Sequence, residues 1–223
     1  MHRLLLLLLL LPTPSHAACP PAGEPIFPGS SGQALQDSLR TTFRPPVGLS
    51  YGDARDFLYS QVDNKNGTLS GIYTGFTINL SPSSPDPRGE AFAAGINAEH
   101  VWPQSKGAED LPMRADLHHL FPSEINANAA RASFPFAEIP DEQTDTWYRL
   151  RDVVSTPNPA LIDEYSELDQ QNPSPFYSGR WEPRENRKGD IARAIFYFYT
   201  VYRNEALTGD SQFFATQKDD LRA

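Results

Sequence analysis

The residues best suited to chemistry in this chain are gathered in a short stretch: Asn97-Ala98-Glu99-His100-Val101-Trp102-Pro103-Gln104-Ser105, then Asp116-Leu117-His118-His119-Leu120-Phe121-Pro122-Ser123, then Asn126, Asn128 and Arg131. A proton acceptor, hard oxygen donors and cations thus lie beside aromatic and proline residues that can fix their geometry. Ile96, Val101 and the following Trp-Pro predict an extended segment, in which adjacent side chains point to opposite faces. Glu99 and His100 should therefore divide the labour. A carboxylate suits Mg²⁺ or Ca²⁺, whereas an imidazole titrating near neutrality suits removal of a proton from water. An amide such as Asn128, a turn or two into a following helix, can add a neutral oxygen, leaving the remaining coordination positions to water and phosphate.

Each of these residues also has a plainer reading. Glu99 can serve in a salt bridge, and one of His118 and His119, which face opposite ways if extended, belongs to the core. Asp116 can orient a histidine or cap a helix, and support of the site from behind is the expected role for it and for His119. Trp102 and Pro103 read as packing and turn residues. Arg193, Phe196, Tyr197 and Tyr199 read first as a helix, with Arg193 available for a phosphate.

These blocks, with Phe134-Pro135-Phe136 and a third group formed by Trp181-Glu182-Pro183, Lys188-Gly189-Asp190 and Ala192 to Tyr197, resemble the bacterial endonuclease I family of secreted or periplasmic nucleases. The similarity runs from about Tyr51 to about Arg203, and three ordered blocks are more specific than one short motif. The resemblance implies a ββα-metal finger, with His100 as general base and Glu99 and Asn128 as ligands of Mg²⁺ or another hard cation such as Ca²⁺ or Mn²⁺. Asn126 is the fallback ligand. The family's arginine on the leaving-group side matches Arg114 by location, with Arg131 as the competing choice and otherwise a substrate contact. The implied reaction is hydrolysis of DNA, with RNA as a second substrate, leaving 5′-phosphate ends.

Competing chemistries lack their apparatus. Zinc hydrolysis would need the His-Glu-x-x-His spacing or cysteines nearby, and neither is present; Gly-rich phosphate loops and Gly-x-Ser-x-Gly elbows are absent too. Asp63-Asn64-Lys65-Asn66-Gly67 superficially matches a calcium loop, but an Asn-Gly hairpin turn explains it better. The non-enzymatic alternative is an exported nucleic-acid-binding or surface protein with an inactive site, against which the retained Glu99, His100 and Asn128 argue.

The elements that must position these residues form one domain. Met1-His2-Arg3, the apolar run Leu4 to Leu11 and Ser15-His16-Ala17 predict a signal peptide over residues 1–18, followed by an N-terminal extension over 19–50 and the nuclease domain over 51–223. No further apolar run could span a bilayer, so export to the periplasm or medium is expected. Cys19, the single cysteine, excludes an internal disulfide and follows Ala17-Ala18 as a lipid-anchored cysteine would, although His16 stands where an aliphatic residue is expected. Simple cleavage is preferred to a lipid anchor. About two hundred residues then remain, enough for a single core and consistent with a monomer. Helices are predicted over Gly32 to Thr42, Gly52 to Gln61, Ala160 to Gln170 and Lys188 to Arg203, and a strand over Thr68 to Thr77. The expected class is α+β, mainly helical, with few short strands.

Net charge opposes nucleic-acid binding: −9 with a pI of about 5 gives no attractive overall field for a polyanion. Between Arg180 and Arg203, however, six cations face three acids, and a divalent cation would add to the positive field.

Overall fold

A computed structural model describes residues 25–46, 48–170 and 179–222; the expected signal sequence and Cys19 lie outside the described residues. Helix α1 (Gly32–Phe43) agrees with its expected span. Helix α2 (Tyr51–Phe57) starts where the Ser50 side chain accepts a hydrogen bond from the Asp53 amide, and it runs on into one π turn over Leu58–Val62.

The expected strand from Thr68 to Thr77 is instead two short strands, β1 (Thr68–Ser70) and β2 (Thr77–Asn79), paired antiparallel. The chain doubles back because Gly75 takes φ +68°, which L side chains resist, and its amide closes onto the Gly71 carbonyl at 3.0 Å. The loop so formed is tied to the rest of the protein by the Ile72 amide, 2.8 Å from the Pro122 carbonyl. Just before β1, Asn66 and Gly67 have φ +54° and +88°, and Lys65 and Thr68 exchange backbone hydrogen bonds. This is the two-residue Asn-Gly turn expected from the sequence.

Helix α3 (Pro87–Ala93), with Asp86 as its N-cap and Pro at its start, leads into β3 (Ile96–His100). Strand β3 pairs antiparallel with β4 (Leu120–Glu124), Glu99 opposite Phe121 and His100 opposite Leu120. Helix α4 (Ile125–Arg131) follows β4 without a loop, because the Glu124 carboxylate caps it by accepting from the Ala127 amide. Two strands and a helix are thereby joined into one unit carrying most of the predicted site.

A second sheet is built from β5 (Thr146–Arg149), β6 (Asp152–Val154), β7 (Ser166–Asp169) and β8 (Arg180–Glu182), in the order β6-β5-β7-β8 and wholly antiparallel. Strand β7 overturns half of the helix predicted over Ala160 to Gln170: a 3₁₀ segment covers Pro159–Glu164, and Tyr165 then turns extended. All four residues of β7 are buried between two partner strands. Local helix propensity, worth tenths of a kcal/mol per residue, yields to that pairing. Helix α5 (Lys188–Val201) stops at Tyr202 and is followed by α6 (Arg203–Gly209) and α7 (Phe213–Gln217). Among the described residues 45% are helical and 16% are in strands. That mixture is compatible with an α+β class, although "mainly helical" understates the second sheet.

Two apolar clusters flank the β3-β4 pair. Ile96 and Leu120 join Leu58, Tyr59, Leu69 and Leu80 on one side, while Val101, Trp102 and Ala127 join Phe136, Trp181, Ile195 and Phe198 on the other. Trp102 stacks on Phe198 at 4.6 Å between ring centroids and meets the edge of Phe213 at 5.1 Å. The packing role expected for Trp102 is the one it has. Helix α1 packs on α5, where Arg44 pairs with Glu205 at 2.6 Å and lies over Tyr202, so the described part of the segment expected as an extension is attached to the domain.

The second sheet also buries two carboxylates directly opposite one another, Glu167 and Glu182. Lys188 pairs with Glu182 at 2.7 Å, whereas Glu167 accepts a hydrogen bond from the Thr144 hydroxyl. Burial first, and then the Glu182 charge, push the Glu167 carboxyl from 4.5 up to about 7. The folded protein therefore holds a proton that the unfolded chain releases between these values, and stability contributed by Glu167 is lost as pH rises from 4.5 through 7. Glu167→Gln should flatten the stability curve in that window and leave the variant more stable than wild type at pH 8, by on the order of 1–2 kcal/mol. Urea titrations from pH 4.5 to 8 check this; parallel curves for the two proteins would refute it.

Candidate active site

Glu99 and His100 end β3 on opposite faces, as the extended reading requires, and both are buried, at 3% and 6% exposure. Glu99 Oε1 accepts from the Tyr73 hydroxyl at 2.6 Å and from Arg131 Nη1 at 2.8 Å. Its second oxygen makes no side-chain hydrogen bond among the described residues. Burial raises the Glu99 carboxyl, and the Arg131 charge, the Tyr73 bond and the His100 backbone amide oppose that rise, so a cation at the second oxygen would favour the ionised form.

Arg131 is wholly buried. Besides Glu99 it donates to the His100 carbonyl at 3.1 Å and the Val101 carbonyl at 2.8 Å, and its guanidinium lies over the Phe136 ring. The expected substrate contact and leaving-group role are not compatible with this placement, since no part of the side chain reaches solvent. Every one of its bonds holds β3 against α4.

Asn128 reaches across to β3. Its amide nitrogen donates to Asn97 Oδ1 at 2.7 Å and to the Ala98 carbonyl at 3.2 Å. With the nitrogen so anchored, Oδ1 has no hydrogen-bond partner among the described residues and is the atom left to act as a ligand. Asn126 differs, because its amide is turned to the Glu124 carboxylate at 3.2 Å. Asn128 is thus the better placed of the two amides. A carboxylate oxygen and an amide oxygen, both held from behind, fit the hard-cation chemistry expected of them.

The His100 ring is fixed through both nitrogens. Nε2 lies 3.0 Å from the Arg114 carbonyl and must carry the proton in order to donate to it, so the lone pair is on Nδ1, 3.3 Å from the Gln104 amide. Burial, followed by the neighbouring His119 and despite the Arg114 carbonyl, lowers the His100 pKa to about 3. At neutral pH this imidazole is in its basic form. His119 is wholly buried with its ring 5.6 Å from that of His100, and its Nε2 donates to the Met113 carbonyl at 2.7 Å. It is the core histidine of the adjacent pair and backs the His100 ring.

Asp116 accepts from His118 at 2.8 Å, from Tyr197 at 2.8 Å and from Tyr202 at 2.7 Å. Burial opposes its ionisation, but bonds from His118 and Tyr202 outweigh burial and hold the carboxyl at about 2. Asp116 thereby ties the segment entering β4 to α5; it does not touch His100. Arg114 stands closer to the expected chemistry. Its carbonyl fixes His100, and its guanidinium lies 4.8 Å from the centre of the Tyr51 ring, which is itself 5.4 Å from the His100 ring.

Arg193 is 74% exposed and pairs with Asp190 at 2.5 Å. It lies one turn before Tyr197, whose ring stacks on exposed His118 at 4.4 Å. The local excess of cations between Arg180 and Arg203 is largely compensated in space: Arg180 pairs with Asp169, Lys188 with Glu138, Glu182 and Glu185, and Arg187 with Asp190. Sequence reasoning missed Tyr73, Tyr51, Asn97 and Gln104 as parts of the site. Asn97 and Gln104 stood inside the first block and could have been found there, whereas Tyr73 and Tyr51 lay outside every block.

The model of the endonuclease I family matches residues 32–221 of this chain, beginning inside the segment expected as an extension. Two extracellular ribonucleases are similar: that of Bacillus amyloliquefaciens is 25% identical over 177 residues, covering 78% of this chain and 51% of its own length. That of Bacillus subtilis (strain 168) is 27% identical over 180 residues, covering 79% and 52%. The chain spans about half the length of these curated relatives. With the family match extending over every strand, α4 and α5, the chain belongs to the endonuclease I family.

Proposed function

We propose that the protein is an exported, metal-dependent endonuclease that hydrolyses phosphodiester bonds of DNA, and of RNA as a second substrate, with little sequence specificity and with 5′-phosphate products. Family membership carries the coarser statement, a hydrolytic nuclease. The observation that supports the finer one is the fixed, neutral imidazole of His100 at the end of the strand that also carries Glu99, with the Asn128 side chain anchored to that same strand. Both curated relatives are described as extracellular ribonucleases, which supports the reading of export and of RNA as a substrate. No helix among the described residues is long and apolar enough to cross a membrane.

In this reading His100 Nδ1 accepts the proton of a water molecule, displacing the weak contact from Gln104, while the Nε2–H bond to the Arg114 carbonyl keeps the ring aimed and stabilises the imidazolium that forms. Glu99 and Asn128 hold Mg²⁺ or another hard divalent cation. When bound, such a cation supplies positive charge to the scissile phosphate and the departing 3′ oxygen. Arg131 and Tyr73 position Glu99, and Arg114 is the leaving-group cation.

His100→Ala should lower turnover by about 10²–10⁴-fold, the usual worth of general base catalysis, with the thermal midpoint little changed. Plasmid nicking and a melting curve decide it, and near-wild-type cleavage by the folded variant would remove His100 from the mechanism. EDTA should abolish cleavage and Mg²⁺ restore it, while Glu99→Gln and Asn128→Ala should each raise the Mg²⁺ concentration needed for half-maximal rate by about tenfold or more. Glutamine is the informative change at Glu99, since alanine would leave Arg131 buried without its partner. Restoration by zinc alone would favour the zinc hydrolase instead; a defect in Asn126→Ala with none in Asn128→Ala would move the amide ligand by two positions.

A further inference from the structure

An acidic nuclease needs cations that its own carboxylates have not already taken. Ten of the described arginines and lysines form ion pairs among the described residues, including most of those between Arg180 and Arg203. Arg55 and Arg114 do not, and they stand together. Arg55 lies 4.3 Å and Arg114 4.8 Å from the centre of one ring, that of Tyr51. The same ring lies 5.4 Å from the His100 ring.

The three residues come from separate places in the chain. Arg55 and Tyr51 share a face of α2, one turn apart, with the Arg55 Nε 3.4 Å from the Tyr51 carbonyl. Arg114 comes from the connection between β3 and β4, and its Nε is buried without a hydrogen-bond partner among the described residues. Two guanidinium groups on one aromatic ring repel one another, and the ring face compensates only in part. No acid among the described residues lies at salt-bridge distance from either guanidinium: Asp53 accepts from Ser50, Asp56 faces Arg88 at 3.5 Å and Glu99 is taken by Arg131. An anion bound at either guanidinium would relieve the repulsion, and guanidinium forks match phosphate oxygens in geometry.

We propose that Arg55 and Arg114, spaced by Tyr51, form a phosphate subsite of a nucleic-acid strand adjoining the phosphodiester presented to His100. Arg55 is the residue that this adds to the site. It touches a backbone phosphate one nucleotide away from the bond that is cut, and Tyr51 is a positioning residue that keeps both cations beside the base. The inference rests on the nuclease reading given above. It accounts for binding of a polyanion at a net charge of −9, since attraction comes from uncompensated cations at the site and not from the overall field.

The test is equilibrium binding of a fluorescent single-stranded DNA oligonucleotide to the cleavage-deficient His100→Ala protein in EDTA, by anisotropy over a range of salt concentrations. Arg55→Gln should raise Kd about tenfold and reduce the slope of log K against log salt by about 0.7, one phosphate contact on a single strand. Arg55→Lys should retain the slope with a smaller loss of affinity, because the charge remains while the fork is lost. Lys218→Gln, which removes a cation on a different element that has no ion pair among the described residues, should alter neither. An unchanged Kd and slope in folded Arg55→Gln would overturn the subsite, as would a weakened affinity at unchanged slope, the mark of a merely structural residue. Should Arg55→Gln fail to fold, a slope lowered in Arg55→Lys, or an affinity equal to that of the parent, overturns it equally. Absence of cleavage by the wild-type protein overturns the nuclease reading itself, a result separate from any of these.

Discussion

The buried pair between Arg131 and Glu99 is the contact on which the geometry of the site depends. A guanidinium and a carboxylate removed from water are costly unless each is saturated with partners. Here partners come from three parts of the chain, the Tyr73 hydroxyl, the carbonyls of His100 and Val101, and the last turn of α4 that carries Arg131, while Arg131 Nε is left without one among the described residues. Those partners also support the strand end that carries Glu99 and His100. Any displacement of α4 relative to β3 would leave a charge unpaired in the interior. The cost of that displacement fixes Asn128, one turn earlier on the same helix, with respect to Glu99.

Around this pair the two apolar clusters act as supports from either side. Ile96 and Leu120 lock one face of the β3-β4 pair and Val101, Trp102 and Ala127 lock the other. The strand pair is therefore stiff without being long. Close packing on both faces also explains why the His100 ring stays neutral, because burial beside His119 penalises the charged imidazole more than its carbonyl contact favours it. The packing that holds the strand thus also keeps the His100 imidazole neutral and able to accept a proton.

Much of this was legible in the sequence. The extended segment through Glu99 and His100, the Asn66-Gly67 turn and the aromatic helix beginning at Lys188 each have a local cause, whether β propensity ahead of Trp-Pro, positive φ, or helical spacing of apolar residues. Arg131 was misread because its type suits a phosphate as well as a buried carboxylate, and choosing between them requires knowing that Val101 and Phe136 close over it. Strand β7 was misread for a related reason. Its partners β5 and β8 lie elsewhere in the chain, and Ala160 to Glu164 alone speaks for a helix. Tyr73 and Tyr51 left no local signal, since what matters is which distant side chain each ring or hydroxyl meets.

Charge followed the same rule as secondary structure. Six cations against three acids between Arg180 and Arg203 suggested a basic face, but Asp169 and Glu138, from outside that segment, compensate Arg180 and Lys188 in space. At physiological ionic strength a Debye length is about 8 Å, so a polyanion at contact feels the charges nearest it far more than the net charge of the chain. Pairing therefore matters more than composition. A guanidinium answered by a carboxylate at salt-bridge distance presents little field to a phosphate, whereas Arg55 and Arg114, with a shared ring and no acid between them, present most of theirs. An acidic surface elsewhere can then coexist with Arg55 and Arg114 on the ring beside His100, where a phosphate would meet cations without a salt-bridge partner among the described residues.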